Sequence, residues 1–117
     1  ASAPFTASQF AQALSKEGIH AGAHYIGKPI FLCHEALVKQ QIFGNSRHPF
    51  DHPQARQGIS YEPGQCPVTE DILNRLVTVG ISQFLTEADV QDIARAIRKV
   101  AVGLARRRSD VESEARG

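Results

Sequence analysis

The chain has 117 residues, with 13 basic and 12 acidic side chains and a formal net charge of +1. This length fits one domain, and a charge this close to zero argues against a dedicated nucleic-acid-binding protein. No apolar run approaches the roughly 18–20 residues of a membrane span, so we expect no membrane partner.

The numbers of methionines and cysteines bear on the origin of the chain and on its cellular compartment. The sequence contains no methionine, so we expect that a leader was removed or that the chain is a piece of a longer protein. Cys33 and Cys66 could form one disulfide in a secreted protein. Two cysteines in a domain of this size more often are free thiols, which indicates a cytoplasmic location.

The first element is a helix with clear signals at both ends. Thr6 and Gln9 have the spacing of a capping box, which predicts a helix over Ala7–Glu17. Gly18 follows it, as glycine often does just past a helix. The flanking residues placed to form a hydrophobic staple are Phe5 and Phe10.

The middle of the chain has weaker signals. Ile19–Ile26 reads as an extended segment, and a short helix is predicted over Glu35–Phe43, closed by Gly44. From residue 45 to residue 65, proline and glycine interrupt any regular pattern, although Gly58–Glu62 is a candidate strand. A connection of this length is often functional or disordered.

The last third predicts two helices and a strand. Pro67 suits the first position of a helix, and the β-branched run Thr78–Ser82 predicts a strand. The final helix begins at Thr86, whose capping-box partner is Asp89, and its apolar spacing continues to Leu104. Helices therefore alternate with short strands, which predicts an α+β domain: a small sheet of short strands covered by three to four helices in two layers.

The histidines do not form a recognisable metal motif. His20 and His24, and likewise His48 and His52, are four residues apart, which suits metal binding when both lie on one helix face. Neither pair falls in a predicted helix, so we expect loop histidines and no metal site. A metal-dependent hydrolase using His48, Asp51 and His52 is kept as a less favoured alternative.

Three stretches taken together resemble a known family. They are Lys16–Ile19 running into Tyr25-Ile26-Gly27-Lys28-Pro29-Ile30, then Tyr61–Glu70, then Leu85–Ile93. Their order and spacing are similar to the C-terminal part of the DegT-type aminotransferases, which are pyridoxal-phosphate enzymes acting mostly on keto-sugars or cyclitols. The resemblance covers about Phe5–Ala101.

The resemblance implies a small domain of a fold-type-I aminotransferase over residues 1–104, followed by a charged, disordered tail over 105–117. Its partner would be the large domain, which carries the catalytic lysine and the pyridoxal phosphate of the parent enzyme. This chain would hold no cofactor and would not catalyse transamination alone. The family strand before the first helix would be reduced to Ala1–Phe5, leaving a sheet edge open to self-association.

The resemblance also implies residues that contact substrate. By position, Tyr25 matches a family tyrosine near the active-site entrance, and Phe31 falls where many members carry a histidine or an aromatic residue. Lys28 lies in the turn between them and could meet an anionic group, with His24 as a weaker candidate. The rival interpretation, from a different functional class, is a stand-alone binding module derived from this domain.

Overall fold

The computed structural model describes residues 4–116. Within them the chain forms four α-helices and a two-stranded antiparallel sheet, so the predicted α+β class is confirmed. A short 3-10 helix at Ile30–Cys33 precedes the second α-helix. The elements are α1 (Ala7–Lys16), β1 (Ala21–Ala23), α2 (Glu35–Val38), α3 (Pro67–Arg75), β2 (Val77–Val79) and α4 (Glu87–Glu114).

The chain divides into two compact units. The first comprises Ala1–Tyr25 and Asn74–Gly117, and the second comprises Ile26–Leu73. Residues 1–3, part of the predicted remnant of an edge strand, and residue 117, the end of the predicted tail, lie outside the described residues. The domain over 1–104 and the tail over 105–117 stay predictions.

Helix α1 is the centre of the first unit, because it contacts both strands and α4. Its buried side chains are Ala7, Ala11 and Leu14, which share one helix face because their spacing is four and then three residues. Val100 adds a buried side chain from α4. Leu14 is fully buried on this face, and the two alanines add small buried side chains beside it.

The sheet is short and its register is fixed. Ala21 lies opposite Val79, and Ala23 lies opposite Val77. The strand predicted over Thr78–Ser82 is therefore wrong in its limits. The Gly80 N–H still donates to the carbonyl of His20 at 3.0 Å, but pairing stops there.

Local capping signals were predicted correctly at α1. Thr6 accepts a hydrogen bond from the backbone of Gln9, whose side chain accepts from the Thr6 N–H. The staple is also present, since the rings of Phe5 and Phe10 stack with centroids 5.2 Å apart. Gly18 has a φ of +83°, the left-handed conformation that glycine adopts at a helix end.

Helix α4 is capped as predicted but is longer. Thr86 and Asp89 form the capping box, and the helix continues beyond the apolar repeat that stops at Leu104, as far as Glu114. The residues after Leu104 are mainly alanine, arginine and glutamate, which favour helix, and neither proline nor glycine interrupts them before Glu114. Arg108 and Glu112, one turn apart, add an ion pair at 2.7 Å.

Two predictions in the second unit are also wrong. Helix α2 ends at Val38 rather than Phe43, because Gln40 turns the chain with a φ of +51°. The segment Gly58–Glu62 forms no strand; Gly58 has a φ of +74°, which breaks an extended run. This segment is held instead by side chains, including Gln65, whose Nε2 donates to the Ser60 carbonyl at 2.9 Å.

Among residues 4–116, no helix combines the length and the apolar character needed to cross a bilayer.

Replacing Leu14 with alanine tests the core of the first unit. We expect Leu14→Ala to lower the free energy of unfolding by about 2–5 kcal/mol, because a buried leucine lost without collapse leaves a cavity. Ile81→Ala is the control, since Ile81 is 85% exposed and its truncation should change stability by less than about 0.5 kcal/mol. Urea unfolding measures both. Equal effects of the two substitutions would contradict this core assignment.

The capping box of α4 predicts a pH dependence. Hydrogen bonds from the hydroxyl and then the backbone N–H of Thr86 lower the pKa of Asp89 below its ordinary 3.8. A lowered folded-state pKa stabilises the fold above pH 3.8, and this stability disappears as the pH falls through the folded value.

Urea unfolding between pH 7 and pH 2 should therefore show Asp89→Asn less stable than the parent at neutral pH, with the difference vanishing at the acid end. Asp51→Asn, in a loop of the second unit, is the matched control for removing one carboxylate charge outside a helix cap, and we expect it to change stability at neutral pH by less than about 0.5 kcal/mol. A pH-independent difference for Asp89→Asn would show that the carboxylate charge does not stabilise the cap.

Candidate functional site

The four residues implicated in substrate contact are divided between the two units. His24 and Tyr25 directly follow β1 in the first unit, whereas Lys28 and Phe31 lie in the second. Lys28 is exposed in a turn. Phe31 is half-buried and packs against Tyr61, with ring centroids 6.1 Å apart, so its ring contributes to packing inside the second unit.

The His24–Tyr25 pair has an unusual backbone. The φ angles are +64° for His24 and +50° for Tyr25, both in the left-handed region. Tight turns that need two such residues in succession usually take asparagine and glycine there. Each residue of another type held in this region costs about 1–3 kcal/mol. The surrounding structure must therefore enforce this conformation.

Two described hydrogen bonds fix His24. Its backbone N–H donates to the Leu76 carbonyl, just before β2, at 2.9 Å. Its ring Nε2 lies 2.8 Å from the hydroxyl oxygen of Ser8, in a part-buried contact between α1 and the turn. The strained turn is thus attached to the sheet through the backbone and to α1 through the side chain.

Tyr25 presents its side chain to solvent. It is 71% exposed, and within residues 4–116 it makes no described hydrogen bond or ring contact. A large aromatic residue in this position adds little to packing. Backbone strain next to an exposed functional side chain is a feature that clusters at ligand-binding sites. Tyr25 is consequently the strongest ligand-contact candidate of the four.

Ser8 was missed by the sequence analysis. It lies in the first turn of α1, where serine is an unremarkable residue, and its partner is 16 positions away. No local pattern connects such a pair. Ser8, Gln12 and Lys16 share one face of α1 and, with His24, border an open groove of about 550 Å³ beside β1.

A larger groove of about 870 Å³ runs between α1 and α4. Its apolar lining includes Phe5, Leu104 and Val111, and Lys16 and Arg107 lie at its border. Lys99 and Glu17 also line it and form an ion pair, with 2.7 Å between the charged atoms.

The described residues offer few groups for a metal or a Schiff base. His48 and His52 approach edge to face with ring centroids 5.7 Å apart, but no three histidine, cysteine or acidic side chains within residues 4–116 converge on one point. All four lysines are exposed, and the hydrogen bond and charge of one of them, Lys39, lower the pKa of Glu35. Cys33 and Cys66 are both free thiols.

Comparison with known proteins adds no identification: no family model, no curated protein and no solved structure matches this chain.

Replacing Tyr25 with glycine tests the strain in the turn. We expect Tyr25→Gly to raise the free energy of unfolding by about 1 kcal/mol, because relief of about 1–3 kcal/mol of strain exceeds the entropic cost of glycine of about 0.5–1 kcal/mol. Tyr61→Gly is the matched control and should destabilise, since Tyr61 packs against Phe31. Thermal or urea unfolding measures both. Destabilisation by Tyr25→Gly would mean that the phenol ring supports the fold.

Proposed function

We propose that this chain is the C-terminal small domain of a DegT-type, pyridoxal-phosphate-dependent aminotransferase acting on a keto-sugar or cyclitol. The observation that carries the proposal is the position of the three resembling stretches. The first delivers Tyr25 to the exposed turn after β1, the second begins α3 at Pro67, and the third begins α4 with the Thr86 cap.

Large apolar side chains are exposed in both units, and this supports the proposal that a partner covers them. In the first unit Ile81 is 85% and Phe84 is 83% exposed, and both lie just before α4 in an irregular segment. In the second unit, Ile30 and Phe43 are 64% and 75% exposed. Apolar side chains that are exposed close together are a feature of surfaces that a partner covers, and Ile81 and Phe84 are three residues apart. The large domain of the parent enzyme is the partner that the resemblance implies, and self-association through the same residues is expected when it is absent.

In this proposal the chain supplies substrate contacts, and the large domain supplies the chemistry. Bound pyridoxal phosphate would act as the electron sink for amino-group transfer. The four lysines of this chain are exposed, and the proposal assigns the Schiff-base lysine to the large domain. The Tyr25 hydroxyl can donate to or accept from a sugar hydroxyl, and the Lys28 ammonium can attract an anionic group of the substrate.

The gene provides the first test. Sequencing upstream of the Ala1 codon should reveal an in-frame large domain with a pyridoxal-phosphate lysine. A start codon immediately before Ala1 would overturn the proposal in favour of a stand-alone binding module.

Borohydride trapping tests whether this chain has a pyridoxal-phosphate site of its own. We expect no specific adduct when the 117-residue chain is incubated with pyridoxal phosphate, reduced and mapped by mass spectrometry. Scattered low-level labelling of all four lysines, as on any exposed amine, is the expected background. A stoichiometric adduct on one lysine, such as Lys28, would mean that this chain has a cofactor site of its own.

Tyr25→Phe tests the substrate contact in the full-length protein. Removing one neutral hydrogen bond of about 0.5–1.5 kcal/mol should raise the KM for the sugar substrate roughly two- to tenfold. The matched control is Tyr61→Phe, which deletes the same hydroxyl from a half-buried residue of the second unit. Steady-state kinetics measure both. An unchanged KM for Tyr25→Phe would remove Tyr25 from the substrate site.

A further inference from the structure

The contact between Ser8 and His24 connects helix α1 to the strained turn after β1. Ser8 follows the Thr6 cap and lies beside buried Ala7 and Ala11, so the first turn of α1 is well anchored. The 2.8 Å distance between its hydroxyl oxygen and His24 Nε2 extends that anchor to the turn after β1. The His24 N–H, bonded to Leu76 at 2.9 Å, provides a second attachment through the backbone.

Packing of Tyr25 does not account for this arrangement. Left-handed φ angles at two successive residues oppose the preference of ordinary side chains, and the Tyr25 side chain is 71% exposed. The turn therefore holds the Tyr25 backbone in a conformation that packing of its side chain does not require.

We propose that Ser8 and His24 are positioning residues that hold the backbone of Tyr25 rigid, and so fix the place at which its exposed phenol is presented to a hydroxylated ligand. Holding a contact residue in its bound geometry before the ligand arrives removes the ordering cost from binding. The positioning part depends only on the geometry of the first unit, whereas the sugar-like ligand rests on the proposed aminotransferase function.

The Ser8–His24 distance would also suit a hydroxyl nucleophile and its general base. A nucleophile–base pair requires neither the left-handed turn nor the exposed phenol beside it, so these two observations favour positioning. Ester hydrolysis is nevertheless an outcome of the test below.

Backbone NMR on the 117-residue chain tests the positioning directly. Ser8→Ala removes the hydroxyl, and we expect the order parameter of the Tyr25 amide to fall from about 0.85, typical of rigid backbone, to below about 0.6. Ser8→Thr keeps the hydroxyl and should restore the rigid value. Ser15→Ala is the matched control, because Ser15 is also on α1 and its hydroxyl donates to a carbonyl of the same helix, that of Ala11, at 3.0 Å.

A Tyr25 order parameter that stays rigid in Ser8→Ala would overturn the proposal. If Ser8→Ala does not fold, His24→Asn decides the question, since asparagine tolerates the left-handed turn but is too short to reach Ser8. His24→Asn should loosen Tyr25 in the same way. Hydrolysis of p-nitrophenyl acetate by the parent chain that is abolished in Ser8→Ala would overturn it as well, by making Ser8 a nucleophile.

Kinetics of the full-length enzyme separate this inference from the proposed function. Ser8→Ala should raise the KM for the sugar roughly two- to tenfold, as expected for loss of one hydrogen bond, while kcat is retained. If Ser8→Ala lowers the order parameter of the Tyr25 amide but leaves the KM unchanged, the positioning role stands and the sugar contact is overturned. If the order parameter of the Tyr25 amide does not fall while the aminotransferase activity is present, only the positioning role is overturned.

Discussion

The packing of α1 is the constraint on which the first unit depends. This one helix contacts both strands and α4, and its fully buried residue is Leu14. Because the sheet has only two short strands, it cannot bury an apolar face by itself. Helix α1 supplies that cover, and its first turn also carries the hydroxyl that reaches His24. Stability and the candidate site therefore depend on the same ten-residue helix.

The sequence was most informative where structure is decided within one helical turn. Both capping boxes and the Phe5–Phe10 staple follow from residues three to five positions apart, and all are present. The end of α2 was missed because Gln40, an ordinary helix former, takes a left-handed φ. The apolar repeat of α4 stops at Leu104, so it could not show that the helix continues to Glu114, where opposite charges one turn apart stabilise it.

The residues of the candidate site also differ in whether the sequence could predict them. Tyr25 was singled out from a sequence motif, and the structure adds its exposure and its strained backbone. The Ser8–His24 contact could not be inferred, because it forms only after α1 packs beside β1 and brings together residues 16 positions apart. Phe31 shows the opposite case: a motif position proposed for substrate contact packs against Tyr61. Tertiary packing thus adds what a motif alone does not show, namely which of its side chains contact another residue of the chain.

The boundaries of the two units have a consequence for the architecture of the chain. The second unit, Ile26–Leu73, leaves the first unit after β1 and returns just before β2. Ala23 and Val77 face each other across the sheet, at the roughly 4.5–5.5 Å typical of antiparallel partners. The second unit is thus an insertion into what would otherwise be a hairpin. Insertions between neighbouring ends are readily gained, lost or exchanged. A short turn could close the hairpin of the first unit, and its caps, its core and the Ser8–His24 contact are all encoded outside the inserted segment.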